Sequence, residues 1–120
     1  MAQRRRRWRV RLSEPAEHDY VAILQWTSEL FGRRQASVYR ETLIGALIAL
    51  ADDPFAPDSH PREDVQPGLR SLHVARPGRR GRHLILYRTM GQRTIEILRI
   101  VHDSMDVGRH VPDDPTSGGS

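Results

Sequence analysis

Between Thr94 and Val101 the chain places Ile95, Ile97, Leu98, Ile100 and Val101 around a lone acid, Glu96, and a lone base, Arg99. A run this short and apolar, closed by His102, reads as a β-strand. Aliphatic residues at both odd and even positions mean that both faces of that strand have to be covered. In a chain of 120 residues, one face calls for a helical layer. The other is expected to need a partner, because an apolar patch of that size is not left in water. Either Leu98 and Ile100, or else Ile95, Ile97 and Val101, form the inward set. After His102 the sequence passes through Asp103 and Ser104 into Met105-Asp106, which reads as the start of a short helix.

The length sets one domain, since two independent cores do not fit. The expected boundaries are a basic arm over 1–7, a single domain over 8–112 and a polar tail over 113–120. At 38% hydrophobic and 28% charged, the composition is that of a globular domain rather than a disordered chain. Cysteine is absent, which removes disulfides and thiolate metal sites and fits a reducing, cytoplasmic setting. No apolar run reaches the roughly 20 residues of a membrane helix, and the start has no apolar stretch of a secretory signal. The net charge is +4 and every one of the 19 basic residues is arginine. That balance favours an acidic partner, and the arginine fork suits carboxylate or phosphate. The Arg4–Arg7 run reads as a solvated arm, with nucleic-acid binding as its sharper alternative.

Trp8, Val10 and Leu12 alternate with Arg9 and Arg11, the pattern of a half-buried strand. Ser13 or Glu14 then caps a helix with Pro15 in its first turn, and Glu14 and Glu17 lie at the positive end of the helix dipole. Ala16, Tyr20, Ile23, Leu24, Leu30 and Phe31 fall on one face of that helix, which Gly32 ends. A second helix runs from about 34 to 51 with Ala36, Tyr39, Leu43, Ala46, Leu47 and Leu50 as its stripe. Val38, Ile44 and Ile48 lie off the stripe, so this helix is apolar over more than half its circumference. A link this short makes the two an antiparallel hairpin. Asp52-Asp53-Pro54 stops the second helix, and a loop rich in Pro, Asp and Gly follows through Gly68. Three strands over 69–76, 82–90 and 93–101 then form a meander. The predicted fold class is α+β in the order β-α-α-β-β-β-α, with the helical hairpin packed on one face of a small, mainly antiparallel sheet.

This order, together with Leu12-Ser-Glu-Pro-Ala-Glu-His-Asp19, Ala51-Asp-Asp-Pro54, Gly68-Leu-Arg-Ser-Leu72, Arg82-His-Leu-Ile-Leu-Tyr-Arg88 and Ile95-Glu-Ile-Leu-Arg-Ile-Val-His102, resembles the RelE/ParE superfamily of toxins from bacterial toxin–antitoxin pairs. The RelE branch implies a ribosome-dependent endoribonuclease that relies on strand arginines for the crowded phosphate. Leu84 and Ser104 stand where those cations are expected, and Arg82, His83, Arg99, His102, Arg109 and His110 are candidate substitutes, each reading better as a solvated strand-edge or helix-surface residue. His102 reads better as a local cap of the following turn.

The His83–Arg88 and Leu98–Asp106 runs look more like the ParE branch, which implies inhibition of DNA gyrase by binding, with no catalytic residue and no cofactor. It also implies neutralisation by a small ParD-like antitoxin. On that resemblance the target is expected to meet Arg82, His83, Arg99, His102, Asp103, Met105, Asp106 and Arg109. The antitoxin is expected to cover Trp26, Ile44, Ile48, Ile95 and Ile97. A RelE-like ribonuclease is the alternative, and a nucleic-acid binder acting through the Arg4–Arg7 arm is a third reading.

Overall fold

The computed structural model describes residues 7–105 and 107. Asp106, Arg109 and His110, most of the basic arm, the expected last helix and the 113–120 tail therefore lie outside the described residues. The elements are β1 (Arg9–Leu12), α1 (Glu14–Phe31), α2 (Arg33–Asp52), β2 (Ser59–Pro61), β3 (Arg70–His73), β4 (His83–Met90) and β5 (Thr94–His102). They form one five-stranded sheet in the order β1-β5-β4-β3-β2. β1 runs parallel to β5, and the other pairs are antiparallel. The sheet is thus mixed, and the helical hairpin is the crossover that a parallel β1–β5 pair requires. Among the described residues, no helix is long and apolar enough to cross a membrane.

Local chemistry sets the helix boundaries. Ser13 accepts a hydrogen bond from Ala16 N–H at 3.2 Å, satisfying a donor of the first turn. Gly32, at φ 93°, sits between the helices in a backbone region that L side chains rarely adopt, and so allows the immediate turn into α2. The predicted stripe of α2 forms its buried face: Leu43, Ala46 and Leu50 join Ala16 of α1 in the main core, with Tyr39 and Leu47 packed alongside. Leu72, Val74, Ile85, Tyr87, Ile95, Ile97 and Ile100 supply the sheet side. Leu30 and Phe31 depart from expectation, being exposed at 58% and 61% at the far end of α1. The α1 face that begins at Ala16 reaches no further into the core than Ile23 and Leu24.

The two-sided strand resolves in a way its sequence does not show. In the β4–β5 pairing Tyr87 stands opposite Ile97 and Leu86 opposite Arg99, so Leu98 is an extra residue, a β-bulge. A bulge shifts the side-chain phase by one. Ile95 and Ile97 face the hairpin before it, and Ile100 does so after it. Neither of the two expected inward sets is the observed one. Val101 instead joins Leu69 and Leu86 in a second buried cluster, with Val65, Leu84, Leu98 and Val107 packed against it. The outer apolar face is therefore covered by this chain's own residues. The covering segment is held by Arg62 N–H to the Leu69 carbonyl at 2.7 Å and by Arg62 Nε to Ser71 Oγ at 3.0 Å.

Strand β2 was not predicted, since Ser59-His-Pro61 carries no strand signature. Side chains hold it in place: Arg70 Nη2 donates to Ser59 Oγ at 2.7 Å, and Ser59 Oγ donates to the Ala56 carbonyl at 2.8 Å. Tyr87 ties the sheet to the end of α2 by donating its buried hydroxyl to the Pro54 carbonyl at 2.6 Å. In Tyr87→Phe that carbonyl keeps only Ser59 Oγ at 3.4 Å. Urea unfolding of the variant is expected to show a loss of about 1–2 kcal/mol at unchanged m-value.

Candidate site at the open end of β5

Strand β1 stops one residue before α1 begins, so β5 outruns it. Ser13 N–H donates to the Ile97 carbonyl at 2.9 Å, the last rung of that ladder, and Ser13 Oγ donates to the Leu98 carbonyl at 3.0 Å. Beyond that point the strand edge needs another partner. Asp19, in the second turn of α1, provides it. Its Oδ2 accepts from Ile100 N–H at 2.9 Å and from Arg99 Nε at 2.7 Å, while Oδ1 accepts from Arg99 Nη2 at 2.9 Å. This two-point pairing holds the Arg99 guanidinium charged more firmly than usual, through the Asp19 hydrogen bond first, with the Asp19 charge adding to it and burial opposing.

Next to this pair lies a shallow cleft of about 180 Å³, lined by Asp19, Ile23, His83, Arg99, His102 and Met105 among others. His83 and His102 are cross-strand neighbours, with ring centroids 5.5 Å apart in an edge-to-face arrangement. Tyr39 of α2 stands over His83, its hydroxyl 2.6 Å from Nδ1. The same hydroxyl accepts from Arg82 N–H at 3.2 Å, so its own proton is directed at His83. Burial raises the Tyr39 pKa and keeps that proton on the phenol. His83 is pushed down to about 4, by burial first and by the neighbouring His102 second, against the opposing pull of Asp103. Gly81 makes this approach feasible, because a Cβ there would come within 3.0 Å of the Tyr39 hydroxyl and overlap Val74.

The other two imidazoles are also fixed at Nδ1. His102 accepts from Ser104 N–H at 3.2 Å and bonds Ser104 Oγ at 2.7 Å, the local turn cap its position suggested. His73 accepts from Ala75 N–H at 3.0 Å and meets Asp103 Oδ2 through Nε2, also at 3.0 Å. Arg82 Nε reaches the other oxygen of Asp103 at 3.3 Å. Together these contacts lower the Asp103 pKa, with the His73 hydrogen bond the largest cause. With Nδ1 occupied, each imidazole carries its proton on Nε2. Chemically the cluster is a set of N–H donors and a carboxylate already bound to Arg82 and His73. Among the described residues, no group of three or more His, Cys, Asp or Glu is placed to hold a metal ion.

Of the residues expected to meet a target, Arg82, His83, His102 and Asp103 come together here, and Arg99 and Met105 line the same cleft. Of those expected to meet an antitoxin, Trp26, Ile44 and Ile48 are exposed at 55%, 37% and 47%. Ile44 and Ile48 follow one another a turn apart on α2, and Trp26 packs edge-on to Phe31 at the end of α1. Ile95 and Ile97 are fully buried under the hairpin, so neither presents a surface in this structure. Tyr39, His73 and Asp19 were not singled out as site residues. They arrive from α2, β3 and α1, and only the pairing of distant elements brings them together.

The comparisons agree with this architecture. A family model described as ParE toxin of type II toxin-antitoxin system, parDE, matches residues 10–107. Toxin ParE1 of Mycobacterium tuberculosis is 30% identical over 100 residues, covering 83% of this chain and 94% of the relative. Among solved structures, the chromosomal ParDE system of P. aeruginosa matches with a TM-score of 0.67 at 23% identity, over 81% of this chain and 97% of that one. The toxin–antitoxin complex RelBE2 of Mycobacterium tuberculosis matches with a TM-score of 0.53 at 24% identity, over 84% and 97%. At such identities these two establish the fold alone.

Proposed function

The chain belongs to the ParE toxin family of type II toxin–antitoxin systems, and from that premise we propose that it inhibits DNA gyrase by binding and is neutralised by a ParD-like antitoxin. The occupied state of the cleft's polar groups carries this reading. Cleavage of a phosphodiester needs a free basic lone pair and cations aimed at the phosphate. Here the three imidazoles use their Nδ1 lone pairs locally, Arg99 is paired to Asp19, and Arg82 is paired to Asp103. Leu84, where the RelE branch is expected to carry a cation, packs against the second apolar cluster. What remains suits recognition: the Nε2–H donors of His83 and His102 beside an aliphatic cleft floor, ready for carbonyl or carboxylate acceptors on a protein target. The exposed Trp26, Ile44 and Ile48 suit an amphipathic antitoxin helix.

A supercoiling assay tests the target. Purified toxin at micromolar concentration is expected to stop gyrase and to leave linear DNA after detergent and protease. The product of the adjacent reading frame is expected to restore activity. Unimpaired supercoiling, with mRNA cut at codon-spaced positions in a translation extract, overturns the reading in favour of the RelE-like ribonuclease.

A further inference from the structure

Charge is unevenly divided along the chain. From Val65 to Ile95 there is no acidic residue, and seven of the 19 arginines fall there; the rest of the chain holds 12 arginines against 15 acids. The net positive charge therefore comes from this one segment. Four of its arginines are engaged elsewhere in the fold. Arg70 donates to Ser59 Oγ, Arg82 meets Asp103, Arg88 pairs with Glu96, and Arg93 lies over the Trp8 ring at 5.0 Å. Arg76, Arg79 and Arg80 remain, and the link between β3 and β4 gathers them into one turn. Arg76 and Arg79 exchange backbone hydrogen bonds at 3.0 and 2.8 Å around Pro77 and Gly78. Pro77 presets the first corner, and Gly78, at φ 80°, takes the left-handed second one. Below the turn, Val74 N–H donates to the His83 carbonyl at 3.0 Å and Arg82 N–H to the Tyr39 hydroxyl at 3.2 Å. Its base is thus anchored to both the sheet and the helical hairpin.

Such an exchange sets the Arg76 and Arg79 side chains opposite each other on one face, where like charges repel. The acids within reach relieve this poorly. Arg79 meets Glu41 at 3.5 Å with 42% and 63% of the two side chains exposed, and Arg76 comes only within 3.9 Å of the exposed Asp58. Exposed pairs of this kind contribute little and yield to a better anion. Arg80 is exposed, and its guanidinium makes no ion pair among the described residues. We propose that this turn is a binding site for the phosphate backbone of duplex DNA, with Arg76, Arg79 and Arg80 as its contacts. A duplex carries one charge about every 1.7 Å of its axis, a density that answers three cations crowded into one turn. The planar fork of arginine also matches phosphate oxygens two at a time. Shape favours DNA over RNA. The major groove of B-form DNA, about 12 Å wide, admits a two-stranded ribbon, whereas that of A-form RNA is too narrow for side chains to read. An acidic protein surface presents carboxylates at no fixed spacing and gains nothing from a turn held this firmly. The inference goes beyond the gyrase reading and does not rest on it, because bare duplex is the ligand.

The test follows the fluorescence anisotropy of a labelled DNA duplex of about 20 base pairs titrated with the full chain. An RNA duplex of the same sequence and an octaglutamate competitor serve as comparisons. Binding is expected to weaken roughly 10- to 40-fold between about 50 and 200 mM salt, the dependence of two to three neutralised phosphates. Arg79→Ala with Arg80→Ala is expected to weaken binding about tenfold at the lower salt and to reduce the salt slope by about two. Arg9→Ala with Arg11→Ala removes the same charge from β1, which pairs with the start of β5 rather than its end, and is expected to change binding by about twofold at most. No duplex binding at about 100 μM protein in the lower salt overturns the proposal. An equal loss in the β1 variant reduces the effect to net charge and overturns it too. So does a loss confined to replacement of Arg4, Arg5 and Arg6 by alanine, which assigns binding to the arm. Tighter binding of the RNA duplex, or displacement by less octaglutamate than unlabelled DNA, gives the turn to another polyanion and also overturns the proposal. Gyrase takes no part in these measurements, so a negative result here leaves the gyrase reading standing, and a negative supercoiling assay leaves the DNA contact standing.

Discussion

Asp19→Ala is expected to be the most damaging single substitution near the cleft, with a loss of about 3–5 kcal/mol. Asp19 holds two partners at once, a cation and a strand N–H. The Arg99 guanidinium sits against it with only 27% of its side chain exposed, and the Ile100 N–H at the open strand edge depends on the same oxygen. Removing the carboxylate takes a two-point pairing from a largely desolvated cation and the acceptor from a strand donor, and the second loss alone costs about 1–3 kcal/mol. For a domain near this size the combined effect corresponds to a melting temperature lower by roughly 10–20 °C. Asp19→Asn keeps an oxygen for one donor and is expected to lose about half as much. Arg99→Met in the Asp19→Ala background is expected to recover part of the loss, because a desolvated charge that has lost its carboxylate is gone. A melting temperature for Asp19→Ala within a few degrees of wild type means that solvent replaces the pair, and the strand-edge role assigned to Asp19 is then wrong.

That role explains why the sequence reveals the scaffold so much better than the site. The cap at Ser13, the stripe of α2 and the meander of β3 to β5 are local patterns, and each forms where its periodicity places it. The apolar excess of β5 was equally visible, but its meaning was not. One bulge at Leu98 changes which residues face the hairpin, and a bulge leaves no mark in a run of aliphatic residues. The cover over the outer face comes from Val65, Leu69 and Val107, single apolar residues in a loop, at a strand start and in a short helical stretch, none of which marks a sheet face by its pattern. The surplus hydrophobicity taken as a sign of a partner is therefore largely spent within the chain. The apolar groups that the fold leaves open lie instead on the off-stripe residues of α2 and at the end of α1. Site geometry was hidden for a related reason. Tyr39 reads as a core stripe residue and Asp19 as part of a helix start, and each acquires its polar role only after elements some 40 to 80 positions apart have paired.

Acid is expected to unfold the protein in two adjoining windows, and the first belongs to His83. Its pKa is about 4 in the folded chain against an ordinary 6.5, with burial the main cause. The unfolded chain therefore takes up a proton first as pH falls. Stability that is complete above pH 6.5 is lost progressively down to about pH 4, and this group removes nothing further below that. After allowance for solvent screening of a half-exposed ring, the loss is on the order of 1–2 kcal/mol, or about 4–8 °C in melting temperature. Below this range Asp103 takes over, because its depressed pKa means that stability present above its ordinary value of 3.8 is lost on further acidification. His83→Asn isolates the first window. The amide oxygen replaces Nδ1 as the acceptor for Tyr39 without a proton to gain, so melting curves recorded from pH 7 to pH 4 are expected to decline less steeply than wild type. Parallel declines place the acid sensitivity elsewhere. A flattened curve with neutral-pH stability retained shows that burial holds His83 as a neutral donor, the state in which its Nε2–H is presented to the cleft throughout the physiological range.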